Sequence, residues 1–284
     1  MKLERGVSAT MHLVRRDNDS EARSIPVPVD ALSDANMQFI NAYESSSTIV
    51  LDVIRSDESD MRKGALRWPW GSTLDEYRSA ASKKSLWRYT VDVDAGTIEK
   101  ERLLDKHVLF ATISPATGCR PHKRIYATVG ATGSEASPPQ GLLSYDTVSG
   151  STQEWIPKPF EFCSEPIYAP RDKSVSDADD GYILSVLYNG QQKESELIVF
   201  DARAIAAGPI CRMSLNTVVP HGHFGCFTTA KEACWDPDEM LRRAKLSDKM
   251  ESRGNMWNEV KSYFSGLGMR VDGTYCQTLL SADF

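Results

Sequence analysis

Apolar residues in this chain come in short runs separated by polar turn formers, which predicts strands rather than helices up to about residue 227. Thr10 to Arg16 reads as a strand that stops at Asp17-Asn18-Asp19. Ser24-Ile25-Pro26-Val27-Pro28-Val29 is excluded from the middle of a sheet, because each Pro removes a ladder donor. Thr48 to Ile54 reads as a buried strand. Tyr182–Tyr188 and Glu196–Asp201 flank Asn189-Gly190-Gln191-Gln192-Lys193, whose Asn-Gly head predicts a hairpin. Residues 55 to 85 are charged and irregular, with Trp68-Pro69-Trp70-Gly71 expected as a loop packed down on the core.

A weak repeat runs through these strands. Leu86–Asp92 leads into Ala95-Gly96-Thr97, Leu142–Asp146 leads into Ser149-Gly150-Ser151, and Leu197–Asp201 ends a third copy. Tyr89, Tyr145 and Phe200 recur about 55 residues apart, near the period of propeller blades. The expected fold is all-β, a partial propeller over residues 1–227 with four or five blades. A helical tail is expected over 228–284. Trp235-Asp236-Pro237-Asp238-Glu239 has Asp at the cap, Pro at the first helical position and Glu after it. Helices are therefore predicted between about residues 236 and 265, ending near Gly266-Leu267-Gly268.

Composition narrows the function classes. With 284 residues and 41% hydrophobic residues, the chain can bury a sizeable core. A net charge of −6 argues against a nucleic-acid surface. Six Cys without paired CxxC spacing predict free thiols in a reducing compartment, hence a cytoplasmic protein or one peripheral to membranes. The first residues lack the apolar stretch of a signal peptide, and no run has the length of a membrane span. No nucleotide loop, nucleophile elbow or HExxH occurs. Among the five His, His221 and His223 are two apart, so on a strand they share a face and a metal could sit there. The spacing supplies no third ligand. Glu165 is either a turn acid or a carboxylate that orients a His.

Five stretches in order resemble one family. They are Asn41-Ala42-Tyr43-Glu44, Ser164-Glu165-Pro166-Ile167-Tyr168-Ala169-Pro170, Asp179-Asp180-Gly181, Glu196–Ala202, and Val219-Pro220 followed by Gly222. Together they resemble the C-terminal half of the carotenoid cleavage oxygenases, from about residue 10 to 227. The resemblance implies a seven-bladed propeller with Fe(II) on its axis, held by four His that neighbouring Glu residues orient. It also implies O2-dependent cleavage of conjugated C=C bonds in carotenoids, apocarotenoids or stilbenes. Two of the His ligands would belong to a missing N-terminal half. The third ligand position falls on Gln38, and the fourth on Phe224, with His223 displaced by one. A one-residue slip on a strand turns a side chain to the other face. Among the orienting acids Glu165 matches, while Leu109 stands where another is expected.

Two functions are thus open: an oxygenase that needs a further portion to work on a polyene or stilbene-like molecule, or a non-catalytic propeller remnant acting as a binding module. Iron is expected to be absent from the isolated chain, and no catalytic residue is assigned. An incomplete propeller leaves sheet flanks uncovered. The apolar residues around Ile49 to Ile54 are the expected flank, and poor solubility or self-association the expected result unless the tail helices cover it.

Overall fold

The computed structural model describes residues 10–14, 22–27, 37–56, 81–130, 135–171, 177–220 and 225–228. The chain divides into two compact units, Met1–Phe227 and Thr228–Phe284. The Trp68–Gly71 loop, His221, His223, Phe224 and the tail helices lie outside the described residues.

The first unit is built from antiparallel strands. β1 (Thr10–Leu13) pairs β2 (Arg23–Pro26) alone. A first four-stranded sheet follows chain order through β3 (Gln38–Ser45), β4 (Thr48–Ser56), β5 (Lys84–Asp92) and β6 (Thr97–Leu104). A second does the same with β7 (Val108–Thr112), β8 (Arg124–Val129), β9 (Gly141–Asp146) and β10 (Thr152–Trp155). In the third sheet, β11 (Glu161–Cys163) and β12 (Ile167–Pro170) share the first position against β13 (Gly181–Asn189), and β14 (Glu194–Asp201) and β15 (Cys211–Ser214) complete it. Among the described residues there are thus three sheets of propeller-blade type and one two-stranded pair, with no α-helix. Pro26 ends β2 in that pair, as the lost donor requires.

The sequence repeat marks one place in each sheet. Leu86–Asp92, Leu142–Asp146 and Leu197–Asp201 lie on β5, β9 and β14, each the strand before the last. After β5 and β9 the turns are alike. Gly96 N–H donates to the Asp92 carbonyl and Gly150 N–H to the Asp146 carbonyl, both at 2.9 Å. Both glycines have φ near +70°, at 67° and 70°, where a Cβ would be strained. The Asp side chains add bonds, Asp92 to Ala95 N–H and Asp146 to Val148 and Ser149 N–H.

The Asn189 hairpin forms where the sequence predicts it, but not as a two-residue Asn-Gly turn. Its loop spans four residues, and Lys193, not Gly190, takes the left-handed conformation with φ 57°. Asn189 Oδ1 accepts from Gln191 and Gln192 N–H at 3.0 Å, and Lys193 N–H closes on the Asn189 carbonyl at 2.7 Å. Asn189 therefore acts as Asp146 does, and the glycine at its head is incidental.

Sheets pack on one another through three apolar clusters. Val27, Val53 and Tyr89 join the β1–β2 pair to the first sheet. Ile54, Leu86, Ile125 and Leu143 join the first sheet to the second. Leu142, Tyr126, Ile183, Leu187 and Phe200 join the second to the third. This corrects the expected open flank at Ile49 to Ile54. Val53 and Ile54 point to opposite faces of β4, and both are 0% exposed because each face has its own covering cluster.

Candidate functional site

The described positions that the family resemblance singles out, Gln38, Leu109 and Glu165, lie at the first strands of the sheets. Gln38 opens β3, and its Oε1 accepts a hydrogen bond from Phe110 N–H on β7 at 2.8 Å. The cause is local. The pairing of β7 with β8 shifts between Leu109 and Thr112, and Phe110 sits in that bulge with φ 51°. A bulge frees a backbone donor from its ladder, and a buried or half-buried donor needs another partner. Gln38 supplies it. Leu109 has an aliphatic side chain in place of the expected acid, and its carbonyl accepts from Thr128 Oγ1 at 2.9 Å.

Glu165 lies in the break between β11 and β12. Ser164 N–H donates to the Val186 carbonyl at 2.8 Å, and Ser185 Oγ donates to the Ser164 carbonyl at 3.0 Å, which fixes the break on the sheet. The Ser164 hydroxyl donates to the Glu165 carboxylate. Gly225 closes against this point. A Cβ placed on it would lie 3.2 Å from Glu165 Oε1 and 2.6 Å from Ile167 Cδ1, so a larger residue there would have to displace the ends of these two side chains. The end of the Gly222–Gly225 motif thus rests on Glu165. Among the described residues no hydrogen bond or ion pair joins Gln38 to Glu165, which sit on different sheets.

The described donors do not compose an iron site. Among the described residues no group of three or more His, Cys, Asp or Glu is placed to hold a metal ion. His12 is bonded to Ser24 Oγ, and His107 Nδ1 accepts from Lys84 N–H at 3.0 Å. The carboxamide oxygen of Gln38 is already engaged by a backbone donor. Iron(II) favours imidazole and carboxylate ligands, and a neutral amide in a structural hydrogen bond is a poor substitute.

One constellation escaped the sequence reading. Asp52, on β4 with a side chain 0% exposed, takes a two-pronged bond from Arg88 Nε and a second guanidinium nitrogen, both at 2.8 Å. His122 Nε2 lies 3.1 Å from Oδ2 of the same carboxylate, the oxygen that also accepts from the second guanidinium nitrogen. His122 Nδ1 lies 2.9 Å from Asn41 Nδ2, whose orientation is set by Cys119 N–H donating to Asn41 Oδ1 at 3.0 Å. Nδ1 therefore accepts from Asn41, while Nε2 faces Asp52 outside good hydrogen-bond geometry. Asn41 Nδ2 also reaches the Arg120 carbonyl at 2.9 Å, and the Tyr43 ring meets His122 edge-on at 6.1 Å. Burial pushes the Asp52 carboxyl up, but the bonds from Arg88 and His122 outweigh it and hold the group below its usual range. Asn41 and Tyr43 of the Asn-Ala-Tyr-Glu stretch thus pin the turn at residues 115–122 to the first sheet. The sequence signal was a lone acid inside the apolar run Thr48–Ile54, which calls for a buried cation.

The acidic turn at Asp177–Asp180 is a clamp of ordinary kind. Arg203 pairs with Asp177 at 2.7 Å, Arg171 with Asp180 and Asp201 at 3.0 and 2.9 Å, and Tyr168 Oη donates to the Ala178 carbonyl at 2.7 Å. Among the described residues no helix is long and apolar enough to cross a membrane.

Known proteins resemble this chain in sequence and fold. Residues 1–229 match the model of the retinal pigment epithelial membrane protein family. An apocarotenoid-15,15'-oxygenase from Synechocystis is 29% identical over 217 residues, covering 75% of this chain and 41% of that protein. A carotenoid 9,10(9',10')-cleavage dioxygenase from Crocus sativus is 23% identical over 216 residues, covering 70% of this chain and 37% of its own. Among solved structures, an ACO/RPE65 chimera superposes with a TM-score of 0.68 at 25% identity, over 78% of this chain and 44% of the chimera. Cobalt-substituted Synechocystis ACO does so with a TM-score of 0.64 at 28% identity, over 77% of this chain and 43% of that one. This chain spans less than half the length of each of these relatives.

Proposed function

We propose that this chain, which belongs to the retinal pigment epithelial membrane protein family of carotenoid oxygenases, is the scaffold portion of an oxygenase of conjugated polyenes and does not cleave them by itself. The substrate class is an apolar molecule with conjugated C=C bonds, of the carotenoid, apocarotenoid or stilbene kind, and O2 is the co-substrate. Residues 1–227 are the partial propeller, working in the cytoplasm or at a membrane surface. A complementary portion of the propeller would supply metal ligands that are absent among the described residues. The observation that supports this reading is the Gln38 side chain, which holds the bulged Phe110 N–H at the position where the family resemblance expects an iron ligand.

Elemental analysis and a cleavage assay test it together. The purified chain, loaded anaerobically with Fe(II) and then given an all-trans apocarotenal in air, is expected to retain no stoichiometric iron and to release no shortened aldehyde. One tightly held iron per chain, lost in His223→Ala, together with product formation, overturns the reading.

A further inference from the structure

Two residues of the Asp179-Asp180-Gly181 stretch have evident work. Asp180 holds Arg171 at 3.0 Å. Gly181 admits the Tyr168 ring, since a Cβ there would lie 2.5 Å from its Cζ and Oη and 2.7 Å from the Ala169 carbonyl oxygen. Tyr168 in turn lies against Tyr126 of β8, with ring centroids 5.9 Å apart. Asp179 is left with Arg124, whose Nε stands 3.5 Å from Oδ2, too far for a good hydrogen bond.

The second sheet faces this carboxylate with polar atoms of its own. Arg124 and Tyr126 are two apart on β8 and share a face. Ser144 stands directly opposite Tyr126 in the pairing of β8 with β9. Their face is the one toward the third sheet, because Tyr126 and Leu142 belong to that cluster. Tyr126 and Ser144 are each 1% exposed. Arg124 Nε, Tyr126 Oη and Ser144 Oγ are all buried, and none has a hydrogen-bond partner among the described residues. The Tyr126 hydroxyl faces the acidic turn: burial, and after it the Asp179 charge, push it above its usual range. Burial likewise pushes the Asp179 carboxyl up, against the pull of Arg124. Buried polar groups of native proteins are rarely left unpaired, so three on one face call for a shared partner.

We propose that Arg124, Tyr126, Ser144 and Asp179 form a binding site for an ordered water between the second and third sheets. The water accepts from Arg124 Nε and Tyr126 Oη and donates to the Asp179 carboxylate and to Ser144 Oγ. That is two bonds of each kind, the full capacity of one water molecule. A cation would meet the Arg124 guanidinium. An anion would meet Asp179, with Asp177 and Asp146 adding charge of the same sign. A small neutral molecule that both donates and accepts suits all four groups, and a charged pair standing 3.5 Å apart leaves its bonds to such a bridge. The acidic turn is then held in two ways. Asp177 and Asp180 bind Arg203 and Arg171 directly, while Asp179 is tied to the second sheet through solvent.

Tyr126→Phe tests the site by the sign of its effect. Removing a buried hydroxyl that has no partner stabilises a protein, whereas removing one that is bonded destabilises it. In urea titrations of the full chain, Tyr126→Phe is expected to raise the unfolding equilibrium constant about two- to tenfold. Its effect and that of Asp179→Asn should be coupled, the double variant losing less than the two single losses combined. Magnetic relaxation dispersion of the water oxygen counts long-lived waters in the same samples, and Tyr126→Phe is expected to hold one fewer. Ser144→Ala should also release that water, which keeps the test open should Tyr126→Phe fold poorly, and circular dichroism verifies the fold of each. A Tyr126→Phe variant as stable as the native chain, or more stable, overturns the proposal. So does a count of long-lived waters that both variants leave unchanged, even with coupling, because protein groups would then bond one another directly.

Discussion

Asp52 is the residue on which the first two sheets depend most. Its carboxylate is wholly buried, pairs with Arg88 and lies 3.1 Å from His122 Nε2, and through His122 it reaches Asn41 and the turn at residues 115–122. Breaking one partner of such a pair strands the other charge, at a cost of about 3 kcal/mol or more. Asp52→Asn should therefore destabilise the chain by that order in urea titrations at neutral pH. The pH dependence has a definite sign. The folded carboxyl titrates below its ordinary value of 3.8, because the Arg88 and His122 bonds outweigh burial. Its stabilisation is complete above that value and is lost as pH falls through the folded one. Melting temperature should fall below about pH 4 in the native chain, and Asp52→Asn should flatten the fall. An unchanged acid limb in the variant would mean that other carboxylates govern it. At this scale the sequence was partly legible. Gln38 and Leu109 could be read as departures from a family pattern, but that Gln38 serves a bulge at Phe110 could not, since bulges arise from pairing between strands far apart in the chain.

Elements were more legible than residues, because they follow from local pattern. The spacing of Tyr89, Tyr145 and Phe200 marks the strand before the last in each sheet, and Gly96 and Gly150 mark its tight turn. The Asn-Gly dipeptide marked the hairpin but not its turn type. Asn189 caps a four-residue loop whose left-handed residue is Lys193, four positions on, as Gly150 follows Asp146. A side chain in that conformation costs roughly 1–2 kcal/mol, and glycine returns part of the gain through its freer unfolded chain, roughly 0.5–1 kcal/mol. Lys193→Gly should then stabilise the protein by about 0.5–1 kcal/mol and raise its melting temperature by roughly 2 °C. A lower melting temperature would show that the Lys193 side chain contributes more than its backbone costs. The uncovered flank was misplaced for a related reason: an apolar run says that a strand is buried, not which of its faces has a neighbour.

Across the first unit, the second sheet is the shared layer. Leu143, Ile125 and Ala127 fill the cluster toward the first sheet, while Leu142 and Tyr126, one residue away on the same strands, fill the cluster toward the third. Neither outer sheet can lose its cover without exposing a face of the middle one, so Met1–Phe227 should unfold as one cooperative unit. Leu142→Ala and Leu143→Ala test this as a pair, because adjacent residues on β9 report on opposite interfaces. Both are buried, at 1% and 2% exposure, and each truncation should cost about 2–5 kcal/mol. If the sheets are coupled, each variant shifts a single transition to lower denaturant, and fluorescence from Trp87 on the first sheet and Trp155 on the second moves together. If Leu142→Ala instead splits the curve, with Trp87 retaining its native midpoint, the interface between the second and third sheets is independent of the one before it. The stack would then be a chain of separable repeats rather than one domain.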